Sequence, residues 1–302
     1  MPSALARLAH RLYEAPSLLL TLAALSWAGN AVASRLAIDH ISPFTLVSVR
    51  WILVIAVLWP LFGAEVRRHW PQIRQRRGWV VLMAIIGFTL FNVLMYIAAR
   101  STSAINIGII QGAMPVLVLL GALLAYGTRV TLVQMIGVLV TLLGVAVVAT
   151  KGMPWAILEV GLAIGDALML AACVFYAFYT VGLRTRPQMD GATFFTLLAL
   201  IACVTSAPLV LYELATATFT MPTVRGWLVA VYVAIFPSCL AQLFFMRGVD
   251  LIGPGRAGVY INLVPVFSAI LAVLILAEPF ALFHGVALTL VIGGIWLAQR
   301  TT

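Results

Sequence analysis

Few side chains in this 302-residue sequence can hydrogen-bond or stack within long apolar runs, and those few recur at helical spacing. Trp27 and Asn30 are three apart and Asn92 and Tyr96 four apart, spacings that put each pair on one face of a helix. Gln111 interrupts GIIQGAMPVLVLL, which starts at Gly108, and Tyr260 and Asn262 interrupt GVYINLVPVFSAI, which starts at Gly258. Tyr176 and Tyr179 make another pair, and Gln242 stands in its own apolar stretch. Amides both donate and accept, while the rings of Trp and Tyr stack and carry a polar tip, so the chemistry on offer is recognition of an uncharged or zwitterionic solute. Two roles compete for each residue. One is a hydrogen bond between packed helices, at about 0.6 kcal/mol each; the other is lining of a polar cavity, where side chains of this kind are found when they lie at membrane depth.

The elements that must position these residues follow from composition. The chain is 64% hydrophobic and only 9% charged, too apolar for one soluble core of this length. Stretches long enough to cross a bilayer as helices, about 17–25 residues, recur from end to end. Ten spans are predicted, at 18–38, 44–63, 79–99, 103–126, 130–150, 162–182, 193–212, 227–247, 255–277 and 280–299. The first is too long for a signal-peptide core and contains Trp27 and Asn30, so it is taken as a helix of the mature protein. With the N-terminus in the cytoplasm, thirteen of the eighteen basic residues fall on the inner side, among them Arg7, Arg11, Arg67, Arg68 and Arg300. Four fall outside, and Arg50 lies within a span. That bias puts both termini in the cytoplasm. The net charge of +9 is thus spread over loop ends facing lipid headgroups, and nucleic acid is not an expected partner. Cys173, Cys203 and Cys239 sit alone in separate spans. His10, His40, His69 and His284 lie near loops without a second ligand at helical spacing, so neither a metal nor another cofactor is expected.

The spans repeat. At an offset of 150, Asn92 falls on Gln242, Gly108 on Gly258, Pro115 on Pro265 and Gly144 on Gly294; at 149, Trp27 falls on Tyr176. Two units of five spans result, 1–153 and 154–302. An odd number of spans per unit makes the second run opposite to the first. The fold class is therefore an all-α integral membrane protein, ten transmembrane helices in two inverted five-helix repeats. In such folds the substrate site lies near mid-membrane between the repeats, and alternating access moves one against the other. Gly108 and Gly112 are spaced for close helix approach. Pro115 and Pro265 each remove a backbone donor near mid-span and are candidate gating hinges.

SWAGN…SR (26–35), SPFTLVSVRW (42–51) and AEPFALFHGVALTLVIGGI (277–295) resemble the EamA group of the drug/metabolite transporter superfamily, over about 18–299. The resemblance implies export of small metabolites, and several bacterial members that are similar export amino acids, aromatic ones included. Glu278 occupies the hairpin position where the family often has glutamate, while the first repeat has Thr128 there.

The ionisable residues narrow the substrate. The only lysine is Lys151, at an outer span end. Arg50 lies about a third of the way in from the outer face, where it is expected to snorkel outward or pair with Asp166 in a structural role. Phosphorylated solutes are therefore poor candidates. Asp166 begins the sixth span, and Asp39, Glu65, Glu159, Asp190, Glu213, Asp250 and Glu278 are assigned to loops or hairpins, leaving no mid-span carboxylate to drive proton-coupled drug efflux. The reading is a carrier that moves neutral or zwitterionic metabolites down a gradient, with Trp27, Asn30, Asn92, Tyr96, Gln111, Tyr176, Tyr179, Gln242, Tyr260 and Asn262 as its substrate contacts. Proton-coupled multidrug efflux is the alternative. A membrane enzyme or channel is the rival class: GPGRAG (253–258) fits a dinucleotide fingerprint in letters only, because a membrane helix, not a strand, precedes it. The oligomeric state is left open, a monomer being sufficient. Low lysine with abundant Ala, Leu and Arg places the chain in a bacterial inner membrane.

Overall fold

Local chemistry marks where the helices begin. Pro16 and Pro43 stand in first turns, where a missing N–H is harmless. Ser103, Thr131, Asp190 and Thr223 each accept a bond from a backbone N–H three residues on. In the computed structural model, residues 14–153 and 163–299 are described; Arg7, His10, Arg11, Glu159 and Arg300 lie outside them. Ten apolar helices follow: α1 Pro16–Leu36, α2 Pro43–Arg68, α3 Arg77–Ala98, α4 Ala104–Tyr126, α5 Leu132–Ala149, α6 Ile164–Thr185, α7 Gly191–Ala215, α8 Val224–Ile252, α9 Arg256–Leu276 and α10 Leu282–Ala298. A six-residue helix, Trp70–Gln75, joins α2 to α3, and no strand occurs among the described residues. Nine of the ten are long and apolar enough to cross a membrane, and α10, with 17 residues, is shorter than the expected tenth span.

The helices alternate in direction, so the bundle has two ends. One carries Arg67, Arg68, Arg74, Arg76 and Arg77 and is called the arginine end; the other carries Asp166, Glu213 and Glu278 and is called the carboxylate end.

Packing does not follow the repeat boundary. Three pairs of symmetry mates pack on each other, α5 with α10, α2 with α7 and α4 with α9. By contrast, α1 packs mainly on α8 and α9, and its mate α6 packs on α3 and α4. The two repeats are interleaved. The α5–α10 contact is made of small residues: a methyl at Gly137 would stand 2.5 Å from Gly294 O, and one at Gly144 would stand 3.0 Å from Ala287 O. Gly108 faces Ser268 of α9 and Gly112 faces Val291 of α10, the close approach their spacing predicted. Gly258, the mate of Gly108, has open space beside it, so the second copy of the motif does not use its glycine in this way.

Four helices depart from regular winding at paired places. In α3 residues Ile85–Leu90, and in α8 residues Ala234–Leu240, wind as π-helix, an arrangement often found at functional sites. At an offset of 150, Gly87 of the first segment matches Pro237 of the second, and each weakens regular helix for its own backbone reason. In α4 the winding breaks between Gln111 and Met114, and in α9 residues Tyr260–Asn262 tighten to a 3₁₀ turn. Pro115 and Pro265 stand just beyond these breaks, in the opening turns of the helices that follow.

Asp190 gives a test of the local reading. Partial burial raises its carboxyl pKa, but the nearby Thr193 hydroxyl and the backbone N–H groups of Thr193, at 2.9 Å, and Ala192 outweigh this and hold it below the ordinary range. A depressed pKa means the stabilisation exists at neutral pH and fades as pH falls below about 4. Asp190→Ala is expected to destabilise by about 1 kcal/mol at pH 7, with the difference from the parent shrinking in acid, as thermal unfolding in detergent at two pH values will show.

Candidate functional site

At membrane depth one group of polar side chains is connected through Arg50. Arg50 on α2, only 5% exposed, is its centre. Its Nε donates to Ser238 Oγ at 2.7 Å, and its Nη1 donates to Tyr96 OH at 2.8 Å and to Asn92 Oδ1. Tyr96 OH donates in turn to Asn30 Oδ1 at 3.3 Å, and Asn30 Nδ2 reaches Met95 Sδ at 3.6 Å. Gln111 Nε2 meets the same sulfur at 3.4 Å. The irregular winding of α8 helps to make this geometry: Ser238, within the π segment, donates to Val233 O at 2.5 Å while accepting from Arg50. Three helices from both repeats, α2, α3 and α8, thereby meet at one guanidinium, and α1 joins them through Tyr96.

Beside this group lie stacked rings. Trp27 Nε1 donates to Pro237 O at 3.1 Å, and its ring lies 5.3 Å from Phe245. Tyr176 lies 5.1 Å from Phe91 and 5.4 Å from Tyr179, which meets Phe88 edge-on at 5.4 Å. Tyr179 is buried against Gly87, where its ring fills the place a Cβ would take.

The structure thus separates the ten predicted contacts into three groups. Asn30, Asn92, Tyr96 and Tyr179 are buried and already engaged with protein. Trp27, Gln111, Tyr176 and Gln242 remain partly exposed at membrane depth, two from each repeat, and no described residue hydrogen-bonds Gln242. Tyr260 and Asn262 are not brought to this region. They lie towards the arginine end, where Tyr260 OH bonds Ser17 Oγ at 2.8 Å and Asn262 Nδ2 bonds Gln299 Oε1 at 3.3 Å.

Two expectations for charged residues are corrected. Arg50 neither snorkels nor pairs with Asp166, because amide, phenol and hydroxyl groups of α3 and α8 surround it within the bundle. Asp166 is held instead by Thr102 and by Asn106 Nδ2 at 3.2 Å. Glu65 and Asp250 lie in the last turns of α2 and α8 rather than in loops, and Glu213, likewise no loop residue, is a buried side chain in the last turn of α7. It accepts from Phe44 N at 2.8 Å, Thr45 N at 3.1 Å, Ser42 Oγ at 2.6 Å and Thr45 Oγ1 at 2.8 Å, and so caps the start of α2, where a negative charge also meets the positive end of the helix dipole. Glu278 does the same for α4, accepting from Ala104 N at 2.9 Å and Ile105 N at 3.1 Å, and lies 3.7 Å from Arg35 Nε. Its positional counterpart Thr128 makes only a local bond, to Ala122 O at 3.2 Å. The carboxylate end is therefore tied by two acceptors, Glu213 buried and Glu278 half-buried, across 168–174 positions of sequence.

That end also holds a cleft of about 560 Å³, lined by Arg35, Arg100, Lys151, Asp166, Glu278 and His284 among others. A void of about 10 Å³ between α1, α2 and α3 touches Tyr96 and shares Arg100 with the cleft. Apart from the glutamate position, sequence reasoning found neither the cleft nor the caps. The Asn92–Tyr96 spacing was the one available signal for what surrounds Arg50.

Comparison with known proteins places this architecture. The family described as EamA-like transporter family matches residues 15–150 and 163–299. The uncharacterized transporter YetK of Bacillus subtilis (strain 168) is 25% identical over 276 residues, covering 89% of this chain and 82% of its own. An uncharacterized transporter of Archaeoglobus fulgidus is 27% identical over 288 residues, covering 93% and 96%. A crystal structure 20% identical in sequence, covering 94% of this chain and 96% of the other, has the same fold with a TM-score of 0.64.

Proposed function

The chain belongs to the EamA-like transporter family, and from that premise we propose that it exports small neutral or zwitterionic metabolites, amino acids and aromatic ones in particular. The observation that carries this reading is the set of partly exposed groups at membrane depth, Trp27 and Gln111 from one repeat and Tyr176 and Gln242 from the other. Two amides and two rings offer hydrogen bonds and stacking without a net charge, which suits a solute with a flat apolar part and an uncharged or internally neutralised polar part. Access alternates as the interleaved bundles rock about the α5–α10 contact, with the breaks ahead of Pro115 and Pro265 taking up the bend. The arginine end faces the cytoplasm of a bacterial inner membrane, by the distribution of basic loops.

Movement is driven by the solute gradient in this reading. Asp166, Glu213 and Glu278 all sit at the carboxylate end with hydrogen-bond donors around them, rather than at mid-depth where a proton carrier for drug efflux is needed. Proteoliposomes are expected to show saturable counterflow of phenylalanine, tyrosine and leucine with no imposed pH gradient. Flux that appears only with such a gradient overturns the mechanism. Singly, Gln111→Ala and Gln242→Ala are expected to raise the apparent KM about five-fold, the equivalent of one hydrogen bond of about 1 kcal/mol, with little change in unfolding temperature. Unchanged apparent affinity in both, with flux intact, removes these residues from the site.

A further inference from the structure

Among the described residues no carboxylate pairs with Arg50. It is 5% exposed, and each group that accepts from it, Ser238 Oγ, Tyr96 OH and Asn92 Oδ1, is neutral. Both hydrogens of Nη1 and that of Nε are used, whereas the two on Nη2 bond no described residue. A second donor beside it is also unmatched: the guanidinium carbon sits 5.2 Å from the ring centre of Trp51, whose buried Nε1 has no acceptor among the described residues. A buried charge is costly unless something of opposite sign meets it. A planar fork of N–H groups is matched in shape by a carboxylate.

We propose that Arg50 is the subsite for the carboxylate of the transported solute, which makes the substrate class carboxylate-bearing metabolites, zwitterionic or anionic. This rests on the reading of the protein as a carrier of small metabolites and narrows it. The void of about 10 Å³ that lies towards the carboxylate end is lined by Tyr96, one of the groups that accept from Arg50. Arg100 borders both that void and the larger cleft, whose other charged side chains are Lys151, Asp166 and the Arg35–Glu278 pair. A carboxylate leaving Arg50 passes Tyr96 and enters the cleft at Arg100, the cation that borders both spaces. Because Arg50 is on α2 of the first repeat and Ser238 on α8 of the second, a carboxylate that displaces Ser238 from Nε also loosens a bond between the repeats.

The test uses four probes that differ at two groups: phenylalanine, 3-phenylpropionate, phenylalaninamide and phenethylamine. Each is measured as a competitor of counterflow and by its shift of thermal unfolding on the purified protein. The two acids are expected to act at concentrations at least ten-fold lower than the amide and the amine. Arg50→Gln is expected to abolish that preference, and Arg50→Lys, which keeps the charge and loses the fork, to retain part of it. Equal potency of acid and amide on the parent protein overturns the subsite, as does a functional Arg50→Gln variant that keeps the parent's preference. The parent comparison stands even where Arg50→Gln does not fold. If 3-phenylpropionate binds while no amino acid moves, the amino-acid reading fails and the subsite survives. If amino acids move and the amide competes equally, the subsite fails and the carrier reading survives.

Discussion

Gly294→Val is expected to yield no monodisperse protein, and Gly294→Ala to yield protein less stable by about 1–3 kcal/mol, the cost of overpacking a filled interface. A Cβ at this position would meet Thr141 Oγ1, stand 2.6 Å from Thr141 N and 2.7 Å from Gly137 O, and those last two atoms are backbone. Backbone in a helix cannot step aside as a flexible side chain can. The Thr141 hydroxyl is also committed, donating to Gly137 O at 2.9 Å. An internal control lies one residue away: a Cβ at Gly293 meets nothing within 4 Å. Gly293→Ala is therefore expected to be neutral or to stabilise by up to about 1 kcal/mol, through helix propensity alone. Size-exclusion profiles and unfolding temperatures of the two alanine variants decide the matter; equal behaviour contradicts the α5–α10 packing.

Glu213→Ala is expected to cost about 3 kcal/mol and to expose the start of α2. The carboxylate is buried and accepts four bonds, two from backbone N–H groups that have no partner within their own helix. Removing it leaves those donors unmatched in a place water reaches poorly. Glu213→Gln is nearly the same size but puts N–H groups against donors, so most of the loss is expected to remain. Faster hydrogen exchange at Phe44 and Thr45 in both variants separates loss of the cap from a general loosening. Unchanged exchange at those two amides overturns the capping role.

What could be read in the sequence was whatever is local or periodic. Apolar length fixed the helices to within a few residues, with α1 at Pro16–Leu36 against an expected 18–38. The offset of 150 paired Gly144 with Gly294, and both lie in the α5–α10 contact. The spacing of Asn92 and Tyr96 put both on the face that meets Arg50. Illegible were the partnerships set by tertiary packing. Nothing near Glu213 says that its donors are at Ser42 and Thr45, and nothing near Arg50 says that Ser238 waits 188 positions away. The π segments left a faint mark in the match of Gly87 with Pro237, but a glycine and a proline weaken a helix for different reasons, and their equivalence shows only once the winding is seen.

The interleaving of α1 with α8 and α9 sets the order of events at the ribosome. About 190 residues separate the end of α1 from the start of α8, so at roughly 5–20 residues per second the nascent first helix resides in the bilayer for some 10–40 s before its neighbours are made. Through that interval Trp27 lacks the acceptor and the aromatic companion that α8 later supplies. Translation must therefore run past the midpoint of the message before the earliest segment finds its final lodging, and a chain cut between the duplicated units leaves both pieces waiting for the other.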